Sequence, residues 1–328
     1  MHILITGAAG MIGRKLTARL VHDAALNGRA IDRMTLTDIA EPEQPAGAPF
    51  AVVTEASDLA TGGAAARALA TRPDVIFHLA AIVSGEAEAD FEKGYQVNFA
   101  GTRELLEAVR LAGDDGYRPK LVFASSIAVF GAPFPDAIAD DFFLTPLTSY
   151  GTQKAIGELL LADYTRRGFL DGIGIRLPTI VVRPGKPNKA ASGFFSSIIR
   201  EPLNGQDAVL PVSEDVRHWF ASPRAAVGFL LHAAGLAADR LGARINLTMP
   251  GLCCTVGEEI AALARVAGVD VARRIRREPD AAIARIVAGW PQNFDARRAT
   301  ALGFRAETSF DEIIRAHIED GLGGRRGG

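Results

Sequence analysis

The chain has 328 residues, of which 48% are apolar and 23% charged, with a formal net charge of −2 and an isoelectric point near 6.3. That length and composition suit a globular protein with a large core, and the near-neutral balance supplies no field for nucleic acid or an anionic membrane. Cys253 and Cys254 are adjacent, so no spaced disulfide framework is available, and the six histidines show no H-x-x-H or H-E-x-x-H pairing for a metal.

The first expected strand, His2–Thr6, runs into "GAAGMIG" with glycines at Gly7, Gly10 and Gly13, followed by a helix over Met11–Asn27. Gly7 permits a sharp turn off the strand. Gly10 lets the backbone approach a pyrophosphate, and Gly13 lets the helix pack closely on the strand. The first helical turn, Met11, Ile12 and Gly13, then offers N–H groups and a positive dipole end to phosphates. Glycines near a turn are weak evidence alone; on the first strand–turn–helix they point to a dinucleotide.

The second strand, Arg33–Thr37, is followed by Asp38. A carboxylate there can accept hydrogen bonds from the adenosine ribose hydroxyls and would repel a 2′-phosphate, which favours NAD over NADP. The alternative is an aspartate that merely starts a turn. After a third strand, Phe50–Thr54, Asp58 is placed to reach the adenine amino group and Leu59 to pack on the ring. A helix over Gly63–Thr71 leads to the strand Val75–Leu79. At its end Leu79, Ala80 and Ala81 leave room for the cofactor, and His78 reads as a satisfied strand-end histidine in preference to a base.

A long helix, Asp90–Ala112, precedes the strand Lys120–Ala124, the helix Ser149–Gly168 and the strand Gly174–Pro178. Apolar strands alternating with amphipathic helices imply an α/β fold of Rossmann type, a doubly wound parallel sheet with ligands at the carboxyl ends of its strands. In such a sheet Lys120–Ala124 delivers Ser125 and Ser126 to the carboxyl edge, and the next helix starts nearby with Tyr150 and Lys154. Residues four apart share a helix face. A free tyrosine titrates near pH ~10, and a neighbouring ammonium favours its phenolate. Tyr150 can then take a hydroxyl proton while hydride leaves the same carbon, with a serine holding the reacting oxygen. The other reading is incidental polar residues around a sheet end.

Beyond Val182 the alternation lapses. "RPGKPNKAASG" reads as a loop, a helix starts near Phe194, "VLPVSEDVRHWF" reads as strand and turn, and "SPRAAVGFLLHAAGLA" as a helix returning to the sheet. The expected organisation is a dinucleotide-binding domain over 1–182, to which 220–250 returns. A smaller interleaved substrate-binding subdomain takes 183–219 and 251–320, with a flexible tail over 321–328. The arginine run at 273–277 reads as a solvated helix face. No apolar run approaches the roughly 18 residues of a membrane span, and no basic, apolar leader precedes His2, so a cytoplasmic location and a small-molecule substrate are expected.

Together "TGAAGMIG", "SSIAVFG" and "YGTQK" resemble the extended short-chain dehydrogenase/reductases, the group that includes nucleotide-sugar epimerases, and the resemblance spans nearly the whole chain. It implies Tyr150 as catalytic acid/base, Lys154 as its partner, Ser126 as the catalytic serine and Ser125 along the cofactor. It further implies Asn98 as a supporting helix residue, Pro178 and Thr179 beside the nicotinamide, and a homodimer through the helices around Asn98 and Tyr150. Sugar dehydratases carry a Thr-Asp-Glu type triplet where this chain has Ser126-Ile127-Ala128, which argues against water elimination. "DVRHWF" keeps Arg217 but has His218 where the family often has aspartate. The stretch "GIRLPTIVVRPGKPNKAASGFFSSIIREPLNGQ" resembles the bacterial D-erythronate dehydrogenases, which implies NAD-dependent oxidation of D-erythronate at C2. Within that resemblance Arg183 and Arg217 are candidates for the substrate carboxylate, and Ser192, Phe194 and Phe195 for pocket walls. A nucleotide-sugar epimerase with tightly bound NAD is the alternative. A non-catalytic dinucleotide sensor would usually lack the Tyr150–Lys154 pair.

Overall fold

The computed structural model describes residues 1–113, 115–185 and 192–323. The chain clusters into two compact units. One comprises Met1–Val129, Pro146–Arg176 and Val227–Leu247, and the other Phe130–Thr145, Leu177–Ala226 and Thr248–Gly328.

The first unit is built on a seven-stranded sheet. Its strands are β1 (His2–Thr6), β2 (Arg33–Asp38), β3 (Ala51–Ala56), β4 (Val75–His78), β5 (Lys120–Ser126) and β6 (Asp171–Leu177), with Asn246–Thr248 at one edge. Their order across the sheet is β3-β2-β1-β4-β5-β6 and then the edge strand, and β1 to β5 pair in parallel. Every residue of β1 is buried, the mark of a strand covered on both faces. Strand order reverses between β1 and β4, so the crevice for a ligand lies at their carboxyl ends. The α/β, Rossmann-type expectation is met.

The helices depart from the sequence reading in two places. Helix α1 spans Met11–Asp23 and stops at Ala24, which is left-handed (φ 53°). The expected continuation to Asn27 does not form; instead Ala25–Leu26 pairs with Arg29–Ala30 around Asn27 and Gly28 (φ 53° and 75°). An Asn-Gly pair suits a tight hairpin turn, and that local chemistry outweighs helical continuation. The single helix expected over Asp90–Ala112 is a chain of pieces. After α2 (Ala64–Leu69) come short helices at Ser84–Ala89 and Phe91–Gly94, a π-helical turn at Tyr95–Ala100 and then α3 (Gly101–Leu111). Helix α4 (Ser149–Arg166) is continuous.

The second unit has a three-stranded sheet of β7 (Thr179–Ile180), β8 (Arg217–Ala221) and β9 (Leu252–Thr255), with β8 central. Helices α5 (Gly193–Leu203), α7 (Val256–Ala267) and α8 (Phe310–Leu322) belong to it, while α6 (Pro223–Gly235) is divided between the two units. Its core gathers Phe195, Ile198, Phe220, Val256, Leu263 and Ile314, all at most 1% exposed. A capping box between Thr255 and Glu258 starts α7. The arginine run is not a helix face: Ile275–Arg277 is a strand, and its guanidiniums pair with Asp270, Asp207 and Glu214. Of the expected tail, Gly321 and Leu322 are helical and 324–328 lie outside the described residues. Among the described residues no helix is long and apolar enough to cross a membrane, and no side-chain group could hold a metal ion.

Candidate active site

The turn after β1 has a shape only glycine permits. Gly7 has φ 75°, and a Cβ there would sit 2.6 Å from the Ala80 backbone nitrogen; a Cβ on Gly13 would run into the Gly7 carbonyl oxygen. Helix α1 begins at Gly10 in extended conformation with no side-chain cap, so the N–H groups of Met11, Ile12 and Gly13 have no competing side-chain acceptor at this end. At the end of β2, Asp38 accepts hydrogen bonds from the Ala9 and Ile39 N–H groups at 3.0 and 2.7 Å. The carboxylate therefore lies against the glycine-rich turn. Asp58 accepts from the Ala60 N–H at 2.9 Å beside the buried Leu59, and Leu79, Ala80 and Ala81 are half-buried at the end of β4. A cradle that a Cβ would fill, an uncapped helix end and a carboxylate beside both fit a dinucleotide.

Further along the same sheet edge, Ser126 ends β5 and its Oγ accepts from the Ala128 N–H at 3.1 Å. Helix α4 is started by Thr148, whose hydroxyl accepts from the Gly151 N–H, which places half-buried Tyr150 in its first turn. One turn on, Lys154 is 3% exposed and donates from Nζ to the Ala124 carbonyl at 2.8 Å. The same ammonium lies 4.9 Å from the Phe123 ring centre and 5.8 Å from that of Tyr150. Burial pulls its pKa down to about 8, against the opposing charge of Glu158. The hydroxyl of Ser125, next to Ser126 on β5, is donated to Glu158 Oε1 at 2.5 Å.

Asn98 lies in the π-helical turn and is 1% exposed. Its Oδ1 accepts from the Ile82 N–H at 2.9 Å, and its Nδ2 donates to Ile82 O at 3.2 Å and to Gln153 Oε1 at 2.8 Å. Both amide hydrogens and the oxygen of Asn98 are thus engaged, which ties the π-helical turn to Ile82 and to α4. Next to it His78 bonds Thr6 through Nδ1 and Thr102 through Nε2. Thr102 gives its one hydroxyl proton to Asn98 O, so it must accept from Nε2, and Nδ1 must accept from Thr6. Burial, helped by the charge of Lys154, pushes the His78 pKa down to about 3. It is the neutral, satisfied strand-end histidine that the sequence leads one to expect.

In the second unit Arg217 is exposed, with its guanidinium 3.2 Å from Cys253 Sγ. Alternation along β8 turns its neighbour the other way. His218 is buried, hydrogen-bonded to Thr179 Oγ1 at 2.6 Å and stacked on Phe195, with ring centres 5.1 Å apart. Thr179 is half-buried and Pro178 buried. Arg183 and Ser192 meet at 3.4 Å, and Arg183 Nε donates to Ile180 O at 3.0 Å. Phe195 is 0% exposed and Phe194 8%, both within the hydrophobic core. Phe195 is therefore a core residue and not the pocket wall expected, because its ring packs between Phe194, His218 and Phe220. Phe194 is largely in the core with it. The residues that sequence reasoning missed are Glu158, Arg176 and Gln153. The spacing Tyr150-x-x-x-Lys154-x-x-x-Glu158 was the available signal for the first.

Comparison with known proteins agrees with this geometry. The model of the NAD dependent epimerase/dehydratase family matches residues 3–240. The chain belongs to that family. It is an NAD-dependent oxidoreductase. The chain is similar to a D-erythronate dehydrogenase of Cupriavidus necator, 49% identical over 324 residues and covering 98% of both chains. It is also similar to a D-erythronate dehydrogenase of Haemophilus influenzae, 42% identical over 97% of this chain and 99% of that one. Among solved structures, that of a protein named nucleoside-diphosphate-sugar epimerase from Agrobacterium tumefaciens superposes with a TM-score of 0.97 at 62% identity, over 99% of this chain and 95% of the other.

Proposed function

We propose that the protein oxidises D-erythronate at C2 to the 2-oxo acid with NAD as hydride acceptor. The reading is carried by the Ser126–Tyr150–Lys154 arrangement at the sheet edge in a chain 49% identical to a D-erythronate dehydrogenase. NAD, when bound, supplies the hydride acceptor; the rest falls to the chain. Tyr150 takes the hydroxyl proton, the Lys154 ammonium favours its phenolate, and the Ser126 hydroxyl holds the reacting oxygen. Asp38 takes the adenosine ribose, Gly10 to Gly13 the pyrophosphate, and Asp58 and Leu59 the adenine. Pro178 and Thr179 border the nicotinamide. Arg217 pairs with the substrate carboxylate, with Arg183 as the second candidate, and Ser192 borders the pocket.

A second reading, a nucleotide-sugar epimerase, is favoured by the likeness to the Agrobacterium tumefaciens protein of that name, at 62% identity. Incubation with added NAD and a panel of four- and five-carbon sugar acids separates the two. Steady NADH formation with D-erythronate is expected. Interconversion of nucleotide sugars without net NADH would replace this proposal with the epimerase. Tyr150→Phe should lower turnover by about 10²–10⁴-fold, the usual worth of general acid–base catalysis, while NAD binding survives.

A further inference from the structure

One buried charge stands immediately behind the Tyr150–Lys154 pair. Glu158 lies one turn beyond Lys154 on α4 and is 0% exposed. An unpartnered carboxylate at such a place would give up its charge, but Glu158 is held from two neighbouring strands. Ser125 on β5 donates to Oε1 at 2.5 Å, and Arg176 on β6 donates from Nε and Nη2 at 2.8 to 3.1 Å. Arg176 is itself 5% exposed. A forked guanidinium and a serine hydroxyl are the partners that keep a buried carboxylate ionised.

We propose that Glu158, fixed by Ser125 and Arg176, is a positioning residue that sets the charge on Lys154 and through it the proton affinity of Tyr150. This rests on the reading of Tyr150 and Lys154 given above and deepens it. The surroundings of Lys154 leave few other sources of charge. Its own helix brings Tyr150 and Glu158, β5 brings the Ala124 carbonyl and the Phe123 ring, and β4 brings His78, which is neutral. From β6 comes Arg176, bound to Glu158. Burial lowers the Lys154 pKa, and the charge of Glu158 opposes that shift. Arg176 and Ser125 hold that carboxylate in place against its burial.

Losing Glu158 or its charged partner Arg176 must therefore lower the midpoint of Lys154, which losing a purely structural ion pair would not do. The measurement is the titration of Lys154 by carbon NMR in lysine-labelled protein without cofactor, assigned with Lys154→Arg. Glu158→Gln should lower its midpoint by about one pH unit or more, the size of effect a neighbouring charge has on a buried group. Arg176→Gln, which leaves the buried carboxylate without its charged partner, should lower it too, and by less, because Ser125 still donates to Glu158. The double variant should match Glu158→Gln, and it serves as the low-side reading where the single variant does not fold. The alkaline limb of kcat/KM should move in the same order. Midpoints that stay put, or that rise in either single variant, would overturn the inference. Ordered NMR shifts in a protein that makes no NADH from any sugar acid would sink the proposed function and leave this inference standing.

Discussion

Asp38 accepts the N–H of Ala9 in the glycine-rich turn and that of Ile39 beyond its own strand. The two readings of this residue, turn former and ribose ligand, are thus compatible: the bonds that shape the turn also aim the carboxylate. Asp38→Ala removes the anion that repels a 2′-phosphate, so the preference for NAD over NADP should narrow while NAD itself binds more weakly. Comparing KM for both cofactors checks this, and equal values in the parent would refute the role. Substrate charge is decided by other residues. Arg217 is exposed and touches Cys253, whereas Arg183 is anchored across its own turn to Ile180 O. Losing one partner of a charge pair costs about 2–5 kcal/mol when the bound ligand buries the pair, or roughly 30-fold to several thousand-fold in affinity. Arg217→Met should raise the KM for D-erythronate into that range and leave NAD affinity alone. If both Arg217→Met and Arg183→Met kept the preference for the acid over erythritol, some other group would read the carboxylate. Ser126, Tyr150 and Lys154 were legible because a motif carries them in fixed order. Arg176 was not, since its pairing with Glu158 exists only once β6 lies beside α4.

At the scale of elements, the strands of the main sheet were readable because continuous apolar runs fix burial on both faces. The edges and interruptions were not. Periodicity over Asp90–Ala112 looks helical throughout, yet the π-helical turn at Tyr95–Ala100 shifts the register just where Asn98 must face inward. Such turns concentrate at functional sites. Asn98 ties this turn to the loop after β4 through Ile82 and to α4 through Gln153. Asn98→Ala would orphan the Ile82 N–H and carbonyl and the Gln153 carbonyl oxygen, each at about 1–3 kcal/mol when buried. Stability measured by denaturant should fall by several of these increments, unless water fills the gap. Turnover should fall with it, because the turn no longer fixes the start of the helix that carries Tyr150. A variant with parental stability would show that the network is dispensable.

Across the molecule, buried charges in the first unit are partnered: Glu158 by Arg176 and Ser125, and Lys120 by Asp171 and the Leu236 carbonyl. Glu259 in the second unit is different. It is 0% exposed on α7, and neither carboxyl oxygen has a hydrogen-bond partner among the described residues. Composition and periodicity offer no hint of it, because a glutamate in the first turn of a helix ordinarily sits in water and favours the dipole. Burial pushes its pKa well above the carboxylate range, which favours the neutral acid in the native state. The sign of the consequence follows from linkage. Below the unfolded-state value of about 4.3 both states hold the proton, and the group contributes nothing to the pH dependence. Above it the unfolded chain releases the proton while the native chain retains it, so stability declines at up to about 1.4 kcal/mol per pH unit until the native value is reached. Glu259→Gln removes that slope. Its unpaired amide adds a constant offset of its own, but an amide does not titrate, so the trend with pH is unaffected by it. The difference in thermal unfolding between variant and parent should therefore shift steadily in favour of the variant from pH 5 toward pH 7.5. A gap that stayed flat would mean that Glu259 ionises in the folded protein and has found a partner there.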